Sequence, residues 1–416
     1  MSDLKLEAAI KYKDILDKIR IMNYDDFSVE LFREEEDMSR PSADKIVKLL
    51  DNMQLIDRSK KSWRLCGNAY YFLGIGIGIK YVRVVMIDYN LSPVNMSTIC
   101  NISDIETDYI HFIDDESDSF CLTFETPTEE NDDFLTNLRG AISEIISFFL
   151  DRCSVSDLIK GIGFSVKGPV DYTSKIWISS CGITSIRDIL ITDIISKDAE
   201  EKILKRDIFL SIDNNTKAAA VSEYQNLLMI NRGDFYDDLA VLHIEEGIGI
   251  SIISAKQLYR GHNNCSGEIG QAKLLFKDAT SESMKPRKLE DIVFDENKVL
   301  SANNVKAYLP RIMNIVNSAI GIQTFVLVST SQRFDEPFDL LSFLQDNRFA
   351  SSIPETGFHC YFMNGRCERA TDAIGAAMES YFSMCNIKPR LQEQSTTAYS
   401  KISSRTNLAR FIRWDV

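Results

Sequence analysis

Three polar residues in a row, Asp213, Asn214 and Asn215, separate the apolar run IFLSI from an alanine-rich stretch. A polar trio at the end of a predicted strand could be a catalytic centre or a pocket that only binds. An amide donates to and accepts from hydroxyls, but it does not titrate near neutral pH, so Asn215 cannot act as a general base. Asp213 could instead cap the helix predicted after it. The trio therefore favours binding of a hydroxyl-bearing ligand over chemistry.

A second group of candidate residues lies near the N-terminus. Ser39 and Pro41 suit the first turn of a helix, and apolar residues follow at helical spacing up to Met53. The next stretch, QLIDRSKKSWRL, alternates like a short hairpin. Helices followed by a basic hairpin are the layout of a winged helix-turn-helix, in which one helix enters the major groove and the wing contacts phosphate. The sequence thus predicts that operator DNA contacts Arg40, Ser42, Lys45, Lys48, Lys60 and Lys61.

The same segment allows a second interpretation. Acidic and basic residues nearly cancel over residues 1–66, and residues 34–37 are all acidic. Acidic side chains that faced the duplex would repel its phosphates. The N-terminal segment could therefore be a helical cap or a dimerisation element instead of a DNA reader.

The elements that must position these residues alternate between strands and helices from residue 70 onward, which predicts an α/β fold with two lobes around a cleft. Residues 277–300 are polar and charged and predict a mobile insertion or an irregular connection. The periodicity predicts helices over 4–22, 27–37, 140–152, 216–229, 303–322 and 370–383, strands over 159–166, 207–212 and 323–329, and a strand pair over 238–253.

Composition narrows the class of protein. The chain has 416 residues, which is more than one core usually holds, and a net charge of −14. Such an acidic chain is a poor general binder of polyanions, so contact with DNA must come from a local basic patch. No apolar stretch is long enough to cross a membrane, and the charged N-terminus does not suit a signal peptide. Nine scattered cysteines without a CxxC pair suit reduced thiols in a cytoplasm.

The order of motifs resembles the ROK family of sugar kinases and sugar-responsive repressors. The resemblance rests on GPVD (168–171), AAAVSE (218–223), GIG (247–249), and LYRG followed by GEIG (258–261 and 267–270). It implies an actin-like, ribonuclease-H-like fold of two lobes with a sugar cleft, preceded in the repressor branch by a winged helix. We expect domains at residues 1–68, 69–195 and 196–416, the last with a helix that can pack back on the first lobe.

Departures from the kinase motifs are more informative than the match. Where the kinases of the family carry an Asp that handles metal and ATP phosphate, this chain has Gly76, and Ile79 and Lys80 stand where Gly-Thr belongs. A hydrogen cannot replace a carboxylate that holds magnesium. The second phosphate loop reads Glu245-Glu246-GIG, and two anions would repel a triphosphate. Ser329-Thr330 replaces a Gly-Gly adenosine contact, and Asn215 replaces the catalytic Asp.

The zinc site of the family is also missing its ligands. Gln271 follows GEIG where a histidine is common, and residues 272–300 contain no cysteine. Tetrahedral zinc needs thiolate or imidazole ligands. His359, Cys360 and Cys367 form another His/Cys cluster, but their spacing matches no specific metal motif. We therefore expect no metal and no cofactor.

The residues that remain predict a sugar pocket. Carboxylates and amides can bracket the vicinal hydroxyls of a pyranose. The resemblance assigns this role to Asn214, Asn215, Glu268, Gln271 and Glu290. We expect a sugar-responsive repressor without kinase activity, with a monosaccharide or sugar phosphate as effector, a homodimeric or homotetrameric assembly and no membrane partner. The alternatives are a sugar kinase with a shifted base such as Asp213, and a non-catalytic interaction protein.

Overall fold

The computed structural model describes most of the chain. The described residues are 2–21, 33, 38–58, 63–101, 105, 109, 112–113, 119–127, 134–180, 182–230, 238–245, 247–277, 284–322, 324–329, 334–346, 361–365 and 370–385. Of the helices that the structure describes, none is both long and apolar enough to cross a membrane.

The N-terminal segment contains helices and a short hairpin. Its described elements are α1 (Ser2–Lys11), α2 (Lys13–Ile21), α3 (Arg40–Asn52), β1 (Ile56–Asp57) and β2 (Arg64–Leu65), with β1 antiparallel to β2. The helix predicted over 4–22 is observed as two helices, which a turn at Tyr12 separates. The helix predicted over 27–37 lies almost wholly outside the described residues. The arrangement is consistent with a winged helix-turn-helix.

The first large sheet has the strand order β11-β7-β3-β4-β6-β5. Its strands are β3 (Tyr71–Ile77), β4 (Tyr81–Asp88), β5 (Phe112–Ile113), β6 (Cys121–Glu125), β7 (Ile159–Val166) and β11 (Phe209–Asn214). Strands β11, β7 and β3 are parallel, so their carboxyl ends lie at the same edge of the sheet. Helices α4 (Phe134–Arg152) and α5 (Lys197–Lys205) follow β6 and precede β11 respectively, and contribute buried apolar residues to its core.

The second large sheet has the order β14-β13-β12-β17-β18. Its strands are β12 (Leu239–Ile244), β13 (Ile248–Ser254), β14 (Gln257–Tyr259), β17 (Thr324–Ser329) and β18 (Tyr361–Asn364). Strand β12 pairs antiparallel with β13 and parallel with β17, and every residue of β12 is buried. Helices α7 (Leu289–Val293), α8 (Ala302–Ile320) and α9 (Leu340–Asp346) pack on this sheet.

Helices α6 (Asn215–Ile230) and α10 (Thr371–Cys385) lie at the centre of the body and pack on each other. Helix α10 also packs on β3 and β7, whereas α6 packs on β12 and β13. The glycines of the first sheet permit this close approach. A Cβ at Gly74 would lie 1.9 Å from the Ala373 carbonyl oxygen, and one at Gly163 would lie 1.7 Å from that of Ala376. The glycine run of β3 is therefore explained by helix packing.

Two smaller sheets complete the described structure. The first contains β8 (Val170–Asp171), β9 (Ile176–Ser179) and β10 (Arg187–Leu190), and the second is a hairpin of β15 (Lys273–Lys277) and β16 (Met284–Lys288). The irregular or mobile connection predicted over 277–300 is wrong for residues 284–293, where β16 and α7 are regular elements, whereas residues 294–300 form an irregular connection. Leu274 and Phe276 pack against the hydrophobic core of the second large sheet. These two apolar contacts stabilise the hairpin, although most of its other residues are charged or polar.

The predicted α/β class is confirmed, and most predicted helices and strands lie within a few residues of the observed ones. The domain boundaries given above stay a prediction.

Candidate functional site

A cavity of about 370 Å³ lies where the carboxyl ends of β7 and β11 meet the β12–β13 turn. We call it the cleft cavity. The five residues predicted to bind sugar all line it: Asn214, Asn215, Glu268, Gln271 and Glu290. Open α/β sheets commonly bind ligands at the carboxyl ends of their strands. Residues distant in sequence thus converge on one site, but their role in sugar binding stays a prediction.

Asn214 uses both ends of its amide to shape the wall of the cavity. Its Oδ1 accepts hydrogen bonds from the backbone nitrogens of Thr216 (3.0 Å) and Lys217 (3.3 Å). Its Nδ2 donates to the Gly168 carbonyl at 3.0 Å, which leaves one amide hydrogen for a ligand. The start of α6 is therefore capped by Asn214, and the prediction that Asp213 caps this helix is wrong.

Asp213 is buried beneath this wall, with only 1% of its surface exposed. Its Oδ1 accepts a hydrogen bond from the Asn214 backbone nitrogen at 2.8 Å, and its Oδ2 pairs with the Arg260 guanidinium. The neighbouring Asn215 is half-buried and lines the cavity. The carboxylate thus supports the wall from behind, while the amide at residue 215 faces the ligand space.

Glu290 connects two segments of the opposite wall through hydrogen bonds. Its Oε1 accepts a hydrogen bond from the Ile248 backbone nitrogen at 3.2 Å, and its Oε2 accepts one from Gln271 Nε2 at 2.9 Å. A Cβ at Gly270 would lie 2.3 Å from Glu290 Oε1, so a glycine at the end of GEIG is needed to make room for this carboxylate. The described part of the chain contains no cluster of three or more His, Cys, Asp or Glu side chains placed to hold a metal ion.

Glu268 and Lys217 are two further ionisable residues near the cavity, and each affects the pKa of the other. Burial raises the pKa of Glu268, an effect that the nearby Lys217 opposes and Glu290 reinforces. Burial lowers the pKa of Lys217, whose Nζ donates to the Ser266 carbonyl at 3.1 Å. The ionised form of Glu268 is therefore destabilised by burial, and a ligand hydroxyl that donates a hydrogen bond to this carboxylate would stabilise it.

An ion pair holds Glu245, in the β12–β13 turn that corresponds in sequence to the second phosphate loop of the family's kinases. Arg83 of β4 donates to Glu245, which follows β12, at 2.7 Å, and both side chains are about nine-tenths buried. Burial opposes ionisation of Glu245, but Arg83, Lys167 and His243 together lower its pKa to about 2. Glu245 is therefore a fixed anion that joins the two large sheets. Glu246 lies outside the described residues.

The position of Gly76 is also crowded. A Cβ at Gly76 would lie 2.9 Å from Asp372 Oδ2 and 3.1 Å from Ser165 Oγ. Ser165 Oγ donates to the same carboxylate oxygen at 2.6 Å. Glycine here is thus required by a carboxylate that helix α10 contributes, and a larger residue would displace it.

Sequence reasoning missed several residues that line the cavity. His243 is buried, its Nδ1 lies 3.5 Å from Thr216 Oγ1, and burial lowers its pKa, so it is neutral near pH 7. Lys167 is also buried and lines the cavity. The sequence does hold a signal for both: His243 is a single polar residue inside the apolar strand LHI, and Lys167 directly precedes GPVD. Lys288 and Lys298 also line the cavity, but no motif in the sequence points to them.

Four of the predicted DNA contacts are exposed on α3, off its buried apolar side, and we call these four residues together the α3 surface. Arg40, Ser42, Lys45 and Lys48 are exposed there, whereas Ala43, Val47 and Leu50 are buried on the other side of the helix. Ser42 Oγ lies 2.9 Å from Ser39 Oγ. Several other residues considered above lie outside the described residues: Lys60, Lys61, the acidic run 34–37, Thr330, His359, Cys360 and Cys367.

The chain is similar to proteins of known family. Residues 121–283 match the ROK family. The xylose repressor of Staphylococcus xylosus is 36% identical over 93 residues, which are 22% of this chain and 23% of the repressor. The alignment with this curated relative thus spans less than a quarter of its length.

Solved structures share the fold at low sequence identity. A ROK family transcriptional regulator, homologous to the Escherichia coli MLC protein, superposes with a TM-score of 0.58 and 13% identity, over 92% of this chain and 98% of that one. A ROK family glucokinase from Streptomyces griseus, in complex with glucose and AMPPNP, superposes with a TM-score of 0.50 and 13% identity, over 75% and 99% respectively. Residues 121–283 of this chain therefore match the ROK family, and the chain shares the fold of a solved ROK regulator and a solved ROK glucokinase.

Proposed function

We propose that this protein is a DNA-binding transcriptional repressor whose cleft cavity binds a sugar effector and which does not phosphorylate that sugar. The observation that carries the proposal is the convergence of five polar residues on one cavity, whose lining also includes Glu245 of the buried Arg83–Glu245 ion pair. The exposed basic α3 surface supplies the contact with operator DNA. The effector is a monosaccharide or a sugar phosphate.

The polar groups of the cavity suit a sugar ring. Vicinal hydroxyls need both donors and acceptors, which amides and carboxylates provide. Asn215 offers both, and Glu268 and Glu290 offer acceptors from the other wall. A solved structure that shares this fold is a glucokinase with bound glucose, which supports a sugar of similar size.

The same geometry disfavours phosphoryl transfer. Asn215 cannot remove a proton from a hydroxyl. The alternative base, Asp213, is buried and paired with Arg260, so it would have to break that buried ion pair before it could accept a proton from a hydroxyl. Glu245 lies where an incoming phosphate would need donors, and an anion fixed there repels phosphate.

The α3 surface supports a role in DNA binding. The exposed cations of α3 lie at its start and over the next two turns, where a recognition helix meets base edges. Two relatives support the proposal: the xylose repressor of Staphylococcus xylosus and the regulator homologous to the MLC protein. A dimer or tetramer would present two such helices to a palindromic site, which light scattering can test.

Isothermal titration of the full chain with D-xylose, D-glucose, N-acetylglucosamine and their phosphates tests the cavity. We expect one of these to bind, and we expect Asn215→Ala to weaken that binding about tenfold, because about 1–1.5 kcal/mol of hydrogen bonding is lost. Asn303→Ala, on the exposed side of α8, is the matched control. Binding that Asn215→Ala does not change would exclude the cleft cavity as the sugar site.

A second titration, with DNA from the region upstream of the protein's own gene, tests the regulator. We expect specific binding that the sugar weakens or strengthens. Sugar-dependent ATP turnover, abolished by Asp213→Ala, would instead support the kinase. Sugar binding without any binding to DNA at low salt would favour the non-catalytic interaction protein.

A further inference from the structure

Helix α10 is in contact with the cleft cavity wall on one side and with the N-terminal helices on the other. Glu379 and Tyr381 are two residues apart, and two residues correspond to about 200° around an α-helix, so their side chains leave α10 in opposite directions. Both residues are buried, Tyr381 completely. The helix is therefore placed between the two sites that a sugar-responsive regulator must connect.

On the cavity side, Glu379 belongs to a buried ionic cluster. Arg260 pairs with Asp213 and, at 2.9 Å, with Glu379 Oε1, so one guanidinium bridges two carboxylates. Tyr172 donates its hydroxyl to Glu379 Oε2 at 3.1 Å, and its ring lies 3.9 Å from the guanidinium of Arg260. Asp213 also accepts a hydrogen bond from the backbone of Asn214, which lines the cavity. A ligand that moves this wall must therefore disturb the cluster.

On the opposite side, Tyr381 belongs to a cluster with helix α2. Tyr381 donates its hydroxyl to Asp17 at 2.7 Å, and the buried Arg20 pairs with the same carboxylate. The Arg20 guanidinium lies 4.8 Å from the Tyr381 ring centroid and donates to the Tyr89 carbonyl at 2.9 Å. A charged side chain buried in this way fixes the position of α2 on the body, because an unpaired buried charge is costly.

The packing of α10 prevents it from absorbing a displacement. Its carbonyl groups lie against the glycines of β3 and β7, and a Cβ at Gly375 would lie 1.8 Å from the Ala218 carbonyl of α6. Contacts between backbone atoms leave no flexible side chain to adjust, and close-packed interiors transmit strain. A shift at Glu379 therefore reaches Tyr381.

We propose that α10 couples the cleft cavity to the N-terminal helices, through the Asp213–Arg260–Glu379 cluster on one side and the Arg20–Asp17–Tyr381 cluster on the other. This coupling is the means by which the sugar changes DNA binding, and in that respect it rests on the proposed function. A ligand shifts the equilibrium only as far as it favours one arrangement of these clusters over another.

Hydrogen–deuterium exchange of the full chain tests the coupling without any ligand. Glu379→Gln removes a charge from the cavity-side cluster, and Tyr172→Phe is the milder change, since it removes only the hydroxyl bonded to Glu379. Both alter the cavity side and neither touches α2. We expect exchange in residues 13–21 to accelerate about threefold or more in both variants, because local opening follows the lost stabilisation. Tyr308→Phe, on α8, is the matched control and is expected to leave that exchange unchanged.

Unchanged exchange in residues 13–21 in a folded Tyr172→Phe variant overturns the coupling, whether or not the protein binds sugar or DNA.

A second experiment measures the DNA affinity of Tyr381→Phe with and without the sugar that binds the native chain. We expect sugar affinity within about twofold of native and a sugar effect on DNA affinity reduced towards none, since coupling is a free energy between sites. A native chain that binds neither ligand refutes the proposed function, while the exchange result still decides the coupling. A full sugar effect in Tyr381→Phe overturns the coupling and leaves the proposed function standing.

Discussion

Asn214 stabilises the start of α6 because its side-chain oxygen accepts hydrogen bonds from the backbone of that helix, and its amide nitrogen donates to the Gly168 carbonyl just after β7. Asn214→Ala removes both contacts at a buried position. We expect a loss of about 1–2 kcal/mol in the free energy of unfolding, the usual cost of losing a helix cap. Chemical denaturation measures it, with Asn303→Ala on an exposed part of α8 as the control. A variant as stable as the native chain would show that α6 does not depend on this cap.

Ionisation of Glu379 makes the free energy of unfolding depend on pH. Burial and the repulsion of Asp213 raise its pKa from 4.5 to about 7, against the opposing effects of Arg260 and Tyr172. A carboxyl group with a raised pKa binds its proton more tightly in the folded state. Its contribution to stability is therefore present below pH 4.5 and is lost as the pH rises through about 7.

Glu379→Gln tests this pH dependence, because the amide cannot ionise. We expect the stability of Glu379→Gln relative to the native chain to increase between about pH 5 and about pH 7.5, as the native carboxyl group becomes charged. Thermal unfolding of both proteins over this range measures the difference, and the titration of other groups cancels from it. A constant difference would mean that Glu379 is ionised throughout the range.

At the scale of elements, α3 and the hairpin after it carry the proposed contacts with DNA. The rest of the chain is acidic, so these few cations must supply most of the attraction. We expect Lys60→Ala and Lys61→Ala to weaken binding to all DNA sequences and to flatten the salt dependence by about one unit per lost phosphate contact. Lys306→Ala, whose side chain is paired with Glu336 on the body, is the control.

Arg40, at the start of α3, is expected to behave differently from the hairpin lysines. If it reads a guanine, Arg40→Ala should reduce the discrimination between operator and random DNA by about 1–3 kcal/mol. Competition titrations with both DNAs measure this ratio. A loss of affinity that is equal for the two sequences would assign Arg40 to phosphate contact instead.

The elements that sequence reasoning predicted well are those with strong periodicity. Strand β7 matches its predicted range, and α6 and α10 differ from theirs by no more than two residues at each end. The hairpin β15–β16 was missed because charged residues dominate it, and only the packing of Leu274 and Phe276 on a distant core explains it. Ion pairs such as Arg83–Glu245 could not be predicted from the sequence, because a contact between residues 162 positions apart leaves no local sequence pattern.

The candidate site was predictable to the extent that it resembles a known motif. Residues 214, 215, 268, 271 and 290 were found by matching motif positions, and all five line the cavity. The cap formed by Asn214 was assigned to Asp213 because both residue types favour that position. Only the tertiary pairing of Asp213 with Arg260 decides between them.

At the scale of the whole molecule, the Arg83–Glu245 pair joins the two large sheets across the cleft, with side chains 11% and 12% exposed. Removing one partner leaves a buried charge without its hydrogen-bonded counter-ion. We therefore expect Arg83→Met or Glu245→Leu alone to lower the free energy of unfolding by about 3–5 kcal/mol. The double variant replaces both charges with apolar side chains, so its loss should be much smaller than the sum of the two single losses. Chemical denaturation of the four proteins gives the coupling energy. Single variants that lose less than about 1 kcal/mol would show that the pair behaves as a solvated surface contact, and the packing of α6 and α10 between the two sheets would then matter more than the ion pair.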